Sequence, residues 1–189
     1  MWTLNGRVIR EGRSFIDDNG VKHPASWGSY EASYKASIGL TEVTVAAKPD
    51  ERFYWVTGPD LTGAYTSVPR ELEDRNEVDD NGDPLLDADG NQVVTKGLKS
   101  NWIDQIKQTQ GSLLAETDWA YIRKTDTGIA VPAEIQTYRD EVRLAAGTIE
   151  DQIAACADLD AFKALFVVPT DADGNATGNA PIYNWPDPE

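Results

Sequence analysis

Leu113–Arg143, LLAETDWAYIRKTDTGIAVPAEIQTYRDEVR, decides how this chain folds. Leu113, Leu114 and Ala115 end an apolar stripe of helical spacing, and Thr117-Asp118-Trp119 follows as a corner. Thr and Asp side chains accept hydrogen bonds from nearby backbone amides, so they suit a reversal where a helix stops. The reversal is expected to aim Trp119 back across the helix ending near Ala115. The stretch from Ala120 to Val131 then reads as a polar loop. Pro132 opens a second helix, its φ pre-set and no amide wasted, with Ile135, Tyr138 and Val142 on the buried side.

Helical periodicity extends outward from this segment in both directions. Upstream, Trp102, Ile106 and Leu113 share a stripe that begins after Gly97, with Ile103 and Leu114 beside it. Gly111 costs such a helix up to about 1 kcal/mol, which packing is expected to offset. Downstream, Gly147 is the expected stop of the second helix near Ala146. Thr148 and Asp151 resemble a capping box for a third helix carrying Ile149, Ile153 and Cys156. Asp158 caps a last short helix with Leu159, Phe162, Leu165 and Phe166. Residues 98–168 therefore form a small helical domain, with Trp102 and Trp119 in its core. Residues 169–189, with Pro169, Pro181, Pro186 and Pro188, form a Pro-rich extended tail, in which Pro181 to Trp185 is apolar enough to dock.

Ahead of the helices the period changes to two. Asn5-Gly6 and Asp17-Asp18-Asn19-Gly20 each punctuate a hairpin. Ser29 to Ser37 suits a short helix that Gly39 ends. Leu40 to Val45, Arg52 to Thr57 and Thr62 to Val68 read as further strands. Five or six short strands with brief turns predict an antiparallel β-sandwich-like domain over residues 1–97. Within it, residues 69–97 form an acidic hairpin or linker, with nine acidic residues and one Arg from Glu71 to Asp89. Leu85-Leu86 and Val93-Val94 can pair across Asp89-Gly90. The fold class is α+β.

Charge bounds the partners. With 17 basic and 32 acidic residues, the 189-residue chain carries a formal charge of −15. That field repels nucleic acid and anionic membrane surfaces, so neither is expected as a partner. No stretch approaches the roughly 18 uninterrupted apolar residues of a membrane helix, and the N-terminus lacks the basic and apolar regions of a secretory signal. Catalytic chemistry finds few components. His23 precedes Pro24 and reads as an ordinary turn histidine, with no G-x-S-x-G elbow to join it. Cys156 falls on an apolar helix face, as a small hydrophobe. One His and one Cys cannot make a zinc site. Asp87-Ala88-Asp89-Gly90-Asn91 and its repeat at 171–175 suggest calcium loops. However, the sixth and twelfth positions are Gln92 and Leu98, or Ala176 and Ile182, so tight turns are the better reading. No cofactor and no enzymatic activity are expected. Phe53 and Trp55, with Tyr65 on the next strand, offer an aromatic partner-binding face.

The order L-L-A-x-T-D-W, spacer, proline, then Y-R-x-x-V-R resembles the C-terminal segment of bacteriophage tail-fibre assembly chaperones and related tail-assembly proteins. It is carried by Leu113, Leu114, Ala115, Thr117, Asp118, Trp119, Pro132, Tyr138, Arg139, Val142 and Arg143. The N-terminal half resembles, more loosely, reading frames of cyanophage tail modules through REGRSFIDDNGVKHPASW at 10–27 and KPDERFYWV at 48–56. In that family the motif marks a fold. The resemblance implies a non-enzymatic chaperone that shields a trimeric tail-fibre protein's distal region while it folds and trimerises. It also implies a homotrimer in complex with that fibre, working in the host bacterial cytoplasm or remaining with the virion. Two alternatives stand beside it, a permanent baseplate or fibre component and a carbohydrate-binding module.

Overall fold

The computed structural model describes residues 1–187 of the chain. The protein divides into two compact units, Met1–Pro69 and Arg70–Glu189. The acidic segment 70–97 thus belongs with the helices, and not with the strands as expected for a domain over residues 1–97. Pro188, part of the expected tail, lies outside the described residues.

The first unit is built from hairpins. β1 (Trp2–Leu4) and β2 (Arg7–Ile9) pair across Asn5-Gly6, whose positive φ angles of 43° and 74° suit the tight turn expected there. β3 (Phe15–Ile16) and β4 (Lys22–His23) form the second hairpin. A 3-10 turn at Ala25–Ser29 leads into α1 (Ala32–Ser37). β5 (Thr41–Glu42) pairs with β1, giving the order β2-β1-β5. β6 (Tyr54–Thr57) and β7 (Thr66–Pro69) make a separate two-stranded ribbon. Leu4, Ile9, Phe15, Trp27 and Leu40 form one core, against which Trp2, Tyr30 and Ile38 pack. Trp27 is fully buried and its indole donates to the Arg13 carbonyl at 2.9 Å.

Antiparallel strands and helices are both present, but the two stacked sheets of a sandwich are not. Among the described residues, nine strands form one three-stranded and three two-stranded sheets. The reason is strand length. Each strand has two to four residues, so pairing is used up locally and no sheet grows wide enough to cover another.

Most of these hairpins reuse one turn. In Asp17–Val21, Asp60–Ala64, Asp79–Asp83, Asp87–Asn91 and Asp171–Asn175, the leading Asp accepts through Oδ1 from the amides two and four residues on. The Gly at the fourth position donates to the Asp carbonyl and takes a positive φ, 80–88° in all five. An Asx turn followed by a left-handed Gly closes the chain in five residues. The acidic repeats are therefore tight turns, and the carboxylates serve their own backbone.

In the second unit, β8 (Arg75–Asn76) and β9 (Val94–Thr95) clamp two such turns between them. The hairpin around Asp89-Gly90 forms as expected, with the Val93 amide donating to the Leu85 carbonyl at 2.8 Å. Asp74 then receives the Gly97 amide and the Ser100 hydroxyl, and Lys99 pairs with Glu73. These bonds join the acidic segment to the start of α2 (Leu98–Ala115). α3 (Asp118–Thr127) follows, and Gly128 at φ 74° ends it. α4 (Ala133–Ala155) packs along α2, and α5 (Leu159–Ala164) is capped by Asp158, whose Oδ1 accepts from the Ala161 amide at 2.8 Å.

Two helical expectations fail for identifiable reasons. The spacer after Trp119 is a helix, because Arg139 holds its first turn, as described below. The expected break at Gly147 does not occur: Tyr138, Val142, Ala146, Ile149 and Ile153 are buried in one stripe that runs straight across it. Packing on both sides overrides a residue of poor propensity. Thr148 donates back to the Leu144 carbonyl within the helix, so it caps nothing. The tail is not simply extended either. Ala180 and Ile182 are buried, and Phe166 meets Trp102 at 4.7 Å and Tyr183 at 6.1 Å.

Candidate partner-binding surfaces

The α2–α3–α4 corner gathers most of the residues singled out in Leu113–Arg143. Arg139, on α4 and 9 % exposed, sends Nη1 to three acceptors: the Leu114 carbonyl at 2.6 Å, Thr117 Oγ1 at 2.8 Å and Asp118 Oδ1 at 2.7 Å. Those groups sit at the end of α2, where the i+4 amides have run out and the Leu114 carbonyl takes the Thr117 amide instead, at 3.2 Å. A guanidinium there satisfies the helix end and is also an ion-pair partner for the first residue of α3. Thr117 and Asp118, expected to accept from backbone amides, accept from Arg139 instead, and Thr117 donates to the Leu114 carbonyl. Leu113 and Leu114 are half-buried on α2, and Pro132 is half-buried in the N-cap position of α4.

Tyr138, the neighbour of Arg139, is buried, and its hydroxyl has no hydrogen-bond partner among the described residues. Burial pushes the phenol above its ordinary value, and the Glu116 carboxylate adds to the effect.

Trp119 is not core. It is 51 % exposed, with the Arg123 guanidinium 5.0 Å from its ring. Only Ala120 of α3 is buried. Because Arg139 fixes α3 by its N-terminus, the helix stays in place while Trp119, Tyr121 and Ile122 face solvent, Ile122 at 68 %. Arg139 also stacks over Tyr121 at 4.7 Å, so one side chain organises the corner and one member of its exposed flank.

The aromatic face of the first unit divides. Phe53 is buried at 4 % and is removed from the partner-binding set. It lies before β6, next to a local turn in which the Phe53 and Tyr54 amides donate to the Asp50 carbonyl, so its side chain turns inward. Trp55 remains exposed, directly opposite the exposed Val68, and Tyr65 is half-buried.

His23 is not an ordinary turn residue. It is 2 % exposed, stacked on Phe15 at 4.7 Å, with Nε2 3.2 Å from Asp17 Oδ2. The Val21 amide holds the Asp17 carboxyl below its usual range, with help from His23 and the Asn19 amide. The pair ties the second hairpin to the core. Cys156 is buried, which pushes its thiol above the ordinary value. Among the described residues no three His, Cys, Asp or Glu side chains gather as metal ligands, and no helix is long and apolar enough to cross a membrane. No family model, curated protein or solved structure matches this chain.

Proposed function

We propose that the chain is a non-enzymatic assembly chaperone for a trimeric bacteriophage tail fibre, acting in the host cytoplasm. The Arg139 corner supports this reading best: Leu114, Thr117, Asp118 and Arg139, separated in sequence but shared with the resembled segment, converge on one nitrogen. The corner presents Trp119, Tyr121 and Ile122 as a fixed aromatic and aliphatic flank. Such a surface suits a protein ligand, since large rigid side chains lose little entropy on docking. Fibre tips expose strand edges that pair wrongly before trimers close, and a protein that covers them needs surface, not catalytic groups. The exposed Trp55–Val68 pair on the β6–β7 ribbon offers a second contact.

Co-expression with the fibre gene beside its own tests the proposal. Soluble trimeric fibre should depend on this chain, and equal yield without it overturns the reading. Recovery of the chain from purified particles in fixed proportion to the fibre would make it a permanent virion component instead.

A further inference from the structure

Residues 77–94 hold an internal symmetry. Glu77, Leu85 and Val93 are spaced by eight, and their backbones close a ring: the Leu85 amide donates to Glu77, Val93 to Leu85 and Glu77 to Val93, at 3.0, 2.8 and 2.9 Å. The next pairings obey the same rotation, Val78 with Pro84, Leu86 with Gln92, and Val94 with Asn76. Two leaves are the Asp79 and Asp87 turns; the third is where β8 enters and β9 leaves. The Gln92 side-chain nitrogen meets all three ring carbonyls, at 2.7, 3.2 and 3.0 Å, and plugs the centre. The position after each ring residue is aliphatic and exposed: Val78 56 %, Leu86 55 % and Val94 43 %.

Three equivalent apolar side chains around a plugged pseudo-threefold axis match an object with the same symmetry. A second copy of this chain is a poor occupant, because Asp79, Asp80, Asp83, Asp87 and Asp89 would meet their like. We propose that the ring caps the end of a trimer of identical chains, apolar on its axis and basic at its rim, with one copy of this protein per trimer. This rests on the fibre reading above and specifies it, since a single copy serves where the resemblance implies three. Each aliphatic residue meets the same patch on one of three chains; Asp turns flank Val78 and Leu86, and Thr95 follows Val94.

The test co-expresses the full-length wild-type chain with the fibre encoded beside it, reads stoichiometry by light scattering of the purified complex, and measures affinity by calorimetry on fibre trimer afterwards freed of the chain. Wild type should bind one per trimer. Val78→Ser, Leu86→Ser and Val94→Ser should each weaken binding roughly tenfold, and the triple variant should lose it with an unchanged circular-dichroism spectrum. Three copies per trimer, or a triple variant that binds like wild type, overturns the inference and leaves the fibre reading standing. A triple variant that instead dissolves a self-oligomer of the free chain assigns the surface to a second copy and also overturns it. No binding of wild type to the fibre sinks the fibre reading and this inference together.

Discussion

Arg139 ties α4 to the end of α2 and the start of α3. Replacing it with Met removes one donor from the Leu114 carbonyl, which keeps the Thr117 amide and hydroxyl, and leaves the Thr117 oxygen without its donor and Asp118 without its ion pair. Loss of about 1–2 kcal/mol in denaturant unfolding is expected, since the Asp118 carboxylate left behind is exposed to water. Lys at 139 should recover only part of this, because an ammonium has no flat guanidinium face to lay over Tyr121, 4.7 Å away. Tyr138 behaves in the opposite sense. Its buried hydroxyl forms no bond among the described residues, so Tyr138→Phe should be neutral or stabilising by up to about 1 kcal/mol. The phenol's folded value is raised, so the unfolded chain ionises first. Wild type therefore loses stability as pH climbs past the ordinary value of 10.0. The Phe variant should lack that component, and identical alkaline profiles would contradict the assignment. Neither role is legible in the chain: Y-R reads as a helix-face pair, and nothing local says that the guanidinium reaches 21–25 residues back.

At the scale of elements, the hairpins are legible because Asn-Gly and Asp-x-x-Gly act within five residues. Helix ends are not, because the decisive contacts are distant. Gly147 reads as a stop from its own propensity, whereas the buried stripe from Tyr138 to Ile153 carries α4 through it. α3 reads as a loop because its ten residues are mostly polar, and its first turn depends on Arg139. Gly111 is expected to be held by packing, yet a Cβ there, as at Gly147, meets nothing within 4 Å. Gly111→Ala and Gly147→Ala should therefore each stabilise by about 0.5–1 kcal/mol. A thermal midpoint lowered by either change would show a close contact on that face. The eight-residue period of the acidic segment lies in the spacing of Asp79 from Asp87 and of Gly82 from Gly90. Each turn is explained by its own five residues, so the period gains meaning only when the ring of backbone bonds joins them.

For the molecule as a whole, the boundary at Pro69 makes a direct prediction. A fragment of residues 70–189 keeps the Asp74 bonds to Gly97 and Ser100 and should unfold cooperatively; a fragment of 98–189 lacks them and should melt several degrees lower. Equal midpoints would return the acidic segment to the status of a linker. Acid should act on both units through the same turn. Asp17, Asp60, Asp79, Asp87 and Asp171 all lie below the ordinary carboxylate value of 3.8, chiefly through bonds from their own loops. Their contribution is in place above 3.8 and is lost as pH falls through the lowered folded values. Denaturant midpoints should therefore drop below about pH 4, and a flat profile from about pH 5 to 2 would refute the role given to these carboxylates.

The same turns bear on chemical ageing. Asn-Gly and Asp-Gly are the dipeptides most prone to succinimide formation, in which the glycine nitrogen attacks the preceding side chain. In Asn19-Gly20, Asn81-Gly82, Asp89-Gly90 and Asp173-Gly174 that nitrogen is already engaged with the carbonyl of the leading Asp. Deamidation and isoaspartate should accordingly accumulate in unfolded chains and spare folded ones, so the covalent record of stored protein reports how long each loop has been open.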